Sequence, residues 1–75
     1  MNISDIIIHI NESLNTVQRA SLEDNMRQVE GVVSPRFNPG KEHFLVVAYD
    51  TEKTSTSALL ANTRKAGYTA QLVGM

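Results

Sequence analysis

Apolar residues in this chain follow two different periods in succession, and the order of those periods leaves few folds open. Ile6-Ile7-Ile8-His9-Ile10 is a short β-branched run bounded by Asp5 and by Asn11-Glu12-Ser13, which predicts a strand buried on at least one face. The period then becomes helical: Leu22, Met26 and Val29 stand at i, i+4 and i+7 within a segment from about Thr16 to Glu30. Glu23 precedes Arg27 in the order that favours a helix-surface pair, and Gly31 is placed to end the helix in the left-handed conformation. Val32 to Asn38 returns to strand character with Pro35 inside it. Proline cannot donate to a sheet ladder, so this strand belongs at an edge. Asn38-Pro39-Gly40-Lys41 has turn chemistry, and the apolar Phe44 to Tyr49 after it completes a hairpin. Polar Asp50 to Ser55 offers Thr54 and Ser55 as caps of a second helix, whose face carries Leu59, Leu60, Thr63 and Ala66. Arg64 and Lys65 suit its negative end, Gly67 stops it, and Tyr68 to Val73 is a last short strand.

The predicted order is therefore β-α-β-β-α-β. With right-handed crossovers this gives an α+β, ferredoxin-like sandwich: a four-stranded antiparallel sheet with both helices on one face. The first and third strands form the central pair and the other two the edges. The expected core is Ile8, Ile10, Leu22, Met26, Val29, Val32, Phe37, Leu45, Val47, Tyr49, Leu59, Leu60, Ala66 and Leu72. A chain of 75 residues is expected to form one domain spanning 1–75.

Composition narrows the function. Seven Lys and Arg against eight Asp and Glu give a net charge of −1, which lacks the basic face of a nucleic-acid binder. No apolar run approaches the roughly 20 residues of a membrane span, and Met1-Asn2-Ile3-Ser4-Asp5 lacks the basic start of a secretory signal. A cytoplasmic location is the expectation. The absence of cysteine excludes disulfides, thiolate metal sites and a cysteine nucleophile.

The landmarks Gly31-Val32, Asn38, Val46-Val47-Ala48-Tyr49-Asp50, Leu59-Leu60 and Lys65-Ala66-Gly67-Tyr68-Thr69-Ala70 follow one another at a characteristic spacing. In this the chain resembles the heavy-metal-associated (HMA) domain of copper chaperones, mercury-binding proteins and the N-terminal parts of metal-pumping P-type ATPases. The similarity is strongest from Gly31 to Val73 and weak in the first helix. It implies the same ferredoxin-like fold and a link to metal transport or detoxification. That family binds metal through Gly-Met-x-Cys-x-x-Cys after the first strand. Counting back from Gly31, the two cysteines fall near Asn15 and Gln18, within Glu12-Ser13-Leu14-Asn15-Thr16-Val17-Gln18. Cu(I) selects soft sulfur ligands, and an amide oxygen does not replace a thiolate. The resemblance therefore implies the scaffold without its soft-metal chemistry.

Asn15 and Gln18 also read as a relative of the capping box, with Asn as N-cap and Gln at the third helical position. The topology brings His43 toward Glu12, Glu42 and Asn15, a set of nitrogen and oxygen ligands suited to Zn(II) or another borderline ion. The plainer reading of His43 is an exposed histidine beside a turn. His9 alternates with Ile8 and Ile10 and points to the helix-free face, so the two histidines are expected on different ends or faces. Period-two alternation also sends Ile7, Phe44, Val46 and Val73 to that open face. An open face is normally polar, so this set is either a docking surface for a protein partner or a second copy, or ordinary scattered surface apolars. Val17 falls off the apolar stripe and stands exposed in the loop where HMA relatives meet partners.

Enzymatic chemistry finds little support. The hydroxyls at Thr51, Thr54, Ser55, Thr56 and Ser57 lie at a helix entrance with no His–carboxylate pair to activate one, and the glycines form no phosphate-cradling loop. The expected function is a non-enzymatic, cysteine-free, HMA-like interaction module with no resident cofactor. The alternative is a metal-ion-binding domain using His43 and its neighbours. An enzyme subunit whose active site lies in a partner is a third reading.

Overall fold

A computed structural model describes residues 2–73. Its elements are β1 (Ile3–Ile10), α1 (Thr16–Arg27), β2 (Val32–Asn38), β3 (Lys41–Asp50), α2 (Thr56–Lys65) and β4 (Ala70–Val73). The strands form one antiparallel sheet in the order β2-β3-β1-β4, the ferredoxin-like arrangement with β1 and β3 central. Register fixes which side chains share a face. Ile8 lies opposite both Leu45 and Leu72, while Ile7 lies opposite both Val46 and Val73. The first set faces the helices and the second the open side.

The core fills the space between sheet and helices. Ile8, Ile10, Leu22, Met26, Leu45, Val47 and Leu59 are completely or almost completely buried. Each such side chain contributes about 1.5–3 kcal/mol on removal from water. Val29, Val32, Phe37 and Leu60 pack against this core while half-buried. Two expected core residues lie elsewhere: Ala66 caps the end of α2 in an exposed position, and Leu72 is on the helix side but 38% exposed. β4 is an edge strand, so Leu72 has strand cover on one side only. Ile6, Leu14 and Ala70 are core members that the sequence reading omitted. Ile6 precedes Ile8 by one pleat step, Leu14 lies in the loop before α1, and Ala70 lies opposite Ile10.

The helices meet at Met26. Its Sδ accepts from Asn62 Nδ2 at 3.2 Å, and the buried Thr63 hydroxyl lies 3.9 Å from it. The same hydroxyl donates to the Leu59 carbonyl at 3.0 Å, so it enters the core without an unmet hydrogen bond. Ser55, the second of the two expected caps, is the N-cap of α2, its Oγ accepting from Ala58 N at 3.2 Å.

Pro35 lies within edge strand β2, where its missing N–H breaks no ladder. The expected Glu23–Arg27 surface pair does not form. Arg27 pairs with Asp24 at 2.7 Å, and the Glu23 carboxylate turns inward to accept the Phe37 N–H at 2.9 Å. An edge-strand donor outweighs an exposed ion pair, because surface pairs gain little over water.

Candidate functional site

The loop after β1, the start of β3 and the end of α2 meet at one end of the sheet. Asn11 N donates to the Thr69 carbonyl at 2.9 Å, and Thr69 N donates to both oxygens of Glu12 at 2.9 and 3.0 Å. The Glu12 carboxylate accepts from its own backbone N–H as well as from that of Thr69, which holds it below the usual carboxylate range against some desolvation.

Asn15 is the N-cap of α1, and with Gln18 it forms a complete capping box. Asn15 Oδ1 accepts from Gln18 N at 2.8 Å, and Gln18 Oε1 accepts from Asn15 N at 2.9 Å. Both side-chain oxygens thus serve backbone donors at the positions where the resemblance places metal-binding sulfurs. Val17, between them, is 76% exposed.

His43 and His9 are not apart, as the alternation implied. Their rings stack with centroids 5.9 Å apart and planes 22° from parallel, and His9 meets Phe44 edge-on at 5.2 Å. The β1–β3 register ends at His9–Phe44, so His43 lies beyond the last paired position. There its ring reaches back to the Ile10 carbonyl, Nδ1 lying 2.7 Å from the oxygen. A carbonyl only accepts, so Nδ1 carries the proton and Nε2 bears the free lone pair of the neutral ring. His9 Nδ1 accepts from the side-chain amide of Gln71, which also donates to Asn11 Oδ1 at 3.1 Å. Ring lone pairs lie in the ring plane, so two nearly parallel rings at this spacing do not converge on one ion at about 2.0 Å.

Glu42 is exposed near the start of β3. Of the four nominated metal ligands, Glu12 is engaged with Thr69, Asn15 with Gln18, and His43 with Ile10. Among the described residues, no three His, Asp or Glu gather as a potential metal site. The hydrogen-bonded amides near α1 do not fit Cu(I), which needs sulfur.

The open face is more coherent. Ile7, Phe44, Val46 and Val73, each half-buried, share a depression of about 470 Å³ with Asn38, Gly40 and Lys41 of the hairpin turn. The apolar four are those the alternation placed outward. The concavity itself had no sequence signal, because its lining joins residues of β1, β3, β4 and the hairpin turn that are distant in sequence. Among the described residues no helix is long and apolar enough to cross a membrane.

Fold and loop together define a ferredoxin-like scaffold of the HMA type without the Cys-x-x-Cys motif. Oxidized MerP from Ralstonia metallidurans CH34 superposes with a TM-score of 0.85 at 20% identity, over 97% of this chain and 100% of its own. The N-terminal domain of a potential copper-translocating P-type ATPase from Bacillus subtilis, in its Cu(I)-loaded state, gives 0.85 at 23% identity over 97% and 90% of the two chains. The CopZ metallochaperone gives 0.81 at 20% identity over 91% and 100%. At these identities the likeness is one of fold. No family model and no curated protein matches the chain.

Proposed function

We propose that this chain is a non-enzymatic, cytoplasmic interaction module of a metal-transport or detoxification system, acting through protein contact and not through thiolate coordination. The observation that carries this reading is the Asn15–Gln18 capping box, which occupies the loop of an intact HMA-type scaffold with hydrogen-bonded amides. The apolar open face supports it as the contact surface. Amide NMR spectra during titration with Zn(II), and with Cu(I) under reducing conditions, test the first half. They are expected to stay unchanged at several-fold metal excess; saturable shifts confined to residues 12–18 and 42–44 overturn it. The second half is tested by capture of protein partners, which Phe44→Lys and Val46→Lys are expected to abolish while leaving the fold intact.

A second reading, divalent metal binding through nitrogen and oxygen, is favoured by one observation. The His43 Nδ1–Ile10 bond leaves Nε2 as the ligating nitrogen. In that reading Glu12, Glu42 or Asn15 completes the set, Glu12 and Asn15 after giving up their present contacts. His43→Ala then abolishes a Zn(II) or Ni(II) binding heat that the unaltered protein shows.

A further inference from the structure

We propose that the open-face depression receives an apolar side chain from a protein segment that carries a carboxylate next to it, an inference that rests on the interaction reading above. Its floor is Ile7, Phe44, Val46 and Val73, and its wall at the hairpin end includes Lys41. Lys41 is the one charged residue among the described residues that line it. Arg36 lies opposite Val46 and so stands on the same face, adding a second cation beside the floor. Asp5 lies opposite Ala48 on that face, one side-chain step of about 7 Å beyond Ile7 and away from the hairpin. Lys41 thus puts positive charge against the depression and Arg36 beside its floor, while Asp5 puts negative charge on the side away from the hairpin; exposed Glu42, next to Lys41, does not line it. A bound carboxylate lies at the hairpin end, with its apolar neighbour over the floor.

Shape selects the kind of occupant. The depression is open on one side, whereas small-molecule sites usually enclose about 70–90% of their ligand. A segment lying along the sheet reaches both the floor and the flanking charges. A second copy meeting this face through its own open face offers only the same concave surface. The floor is also preorganised at Phe44: the His9 ring abuts it and is itself stacked on His43, which the Ile10 carbonyl holds. A preordered floor lowers the entropic cost of binding.

The test is selection from a display library of random twelve-residue peptides on the immobilised full chain. Enriched peptides are expected to carry an aromatic or branched aliphatic residue flanked by Asp or Glu. Lys41→Glu is expected to reverse the flanking preference toward Lys and Arg by at least tenfold, and Val46→Lys, folded by its amide spectrum, to retain none of them. Charge-blind enrichment shared by the unaltered chain and Lys41→Glu overturns the proposal, as does failure to enrich. Peptides still held by Val46→Lys also overturn it. Concentration-dependent shifts of Ile7, Phe44, Val46 and Val73 amides without peptide assign the face to a second copy instead. If the peptides fail but Phe44→Lys and Val46→Lys still block partner capture, the interaction reading stands and only the partner chemistry falls. The interaction reading falls when both variants capture partners as the unaltered chain does.

Discussion

Asn15 and Gln18 bond reciprocally, each side-chain oxygen accepting the other residue's backbone N–H, at 2.8 and 2.9 Å. The pair satisfies two of the donors that a helix start leaves unmet. Asn15→Ala is therefore expected to cost about 0.5–2 kcal/mol. Thermal unfolding reads this as a fall of roughly 4–8 °C for each kcal/mol in a domain of this size. An unchanged melting temperature would show that the box contributes nothing to stability.

The same pair offers a gain-of-function test. If the scaffold still holds the geometry implied by its resemblance to HMA domains, Asn15→Cys with Gln18→Cys brings two thiols together at the start of α1. Thiolates near a helix N-terminus are stabilised by its dipole, and Cu(I) favours sulfur. The double variant is expected to hold Cu(I) against a competing chelator that strips it from either single variant. Equal behaviour of the three would mean that the loop geometry, and not only its ligands, has changed.

Glu23 accepts the Phe37 N–H at 2.9 Å, fastening α1 to edge strand β2. Glu23→Ala is expected to destabilise the fold by about 1.5–3 kcal/mol, the range for a hydrogen bond to a charged group. The Phe37 amide should exchange with solvent faster than its neighbours in β2. Exchange that accelerates evenly over the whole chain would point to global destabilisation without a local tie.

Gly31 has φ +98, and a Cβ there meets Lys53 Cβ at 2.8 Å. Gly31→Ala combines left-handed strain of about 1–2 kcal/mol with a clash against the turn after β3. A loss above about 1 kcal/mol in urea unfolding is expected. At Gly40, with φ +78 and open space around it, the same substitution should show the backbone cost alone.

The depressed pKa of Glu12 links stability to acid. Its own N–H and, from across the fold, that of Thr69 bond the ionised carboxylate in the folded state. The contribution is present above the ordinary glutamate value of about 4.3 and is lost as pH falls below that toward the depressed folded value. Glu12→Gln should remove this part of the acid dependence. In the unaltered protein the Thr69 amide resonance should titrate with the Glu12 carboxyl; a Thr69 signal flat from pH 6 to pH 2 would exclude the link.

Much of this molecule is set by local chemistry that a single sequence carries. The change of apolar period, Pro35 inside a strand, the turn at Pro39-Gly40 and the Asn15-x-x-Gln18 box all act over a few residues, so element order, the β2 edge and the α1 cap were legible directly. Period-two alternation likewise placed Ile7, Phe44, Val46 and Val73 on one face. Tertiary structure alone decided what those faces became. The stacking of His9 on His43 depends on where the β1–β3 ladder ends, and Glu23 chose Phe37 over Arg27 because β2 packs beside α1. The depression depends on bringing the hairpin turn together with β1, β3 and β4. Such contacts join residues distant in sequence, and their energies depend on twist, strand ends and solvent access that no local pattern records.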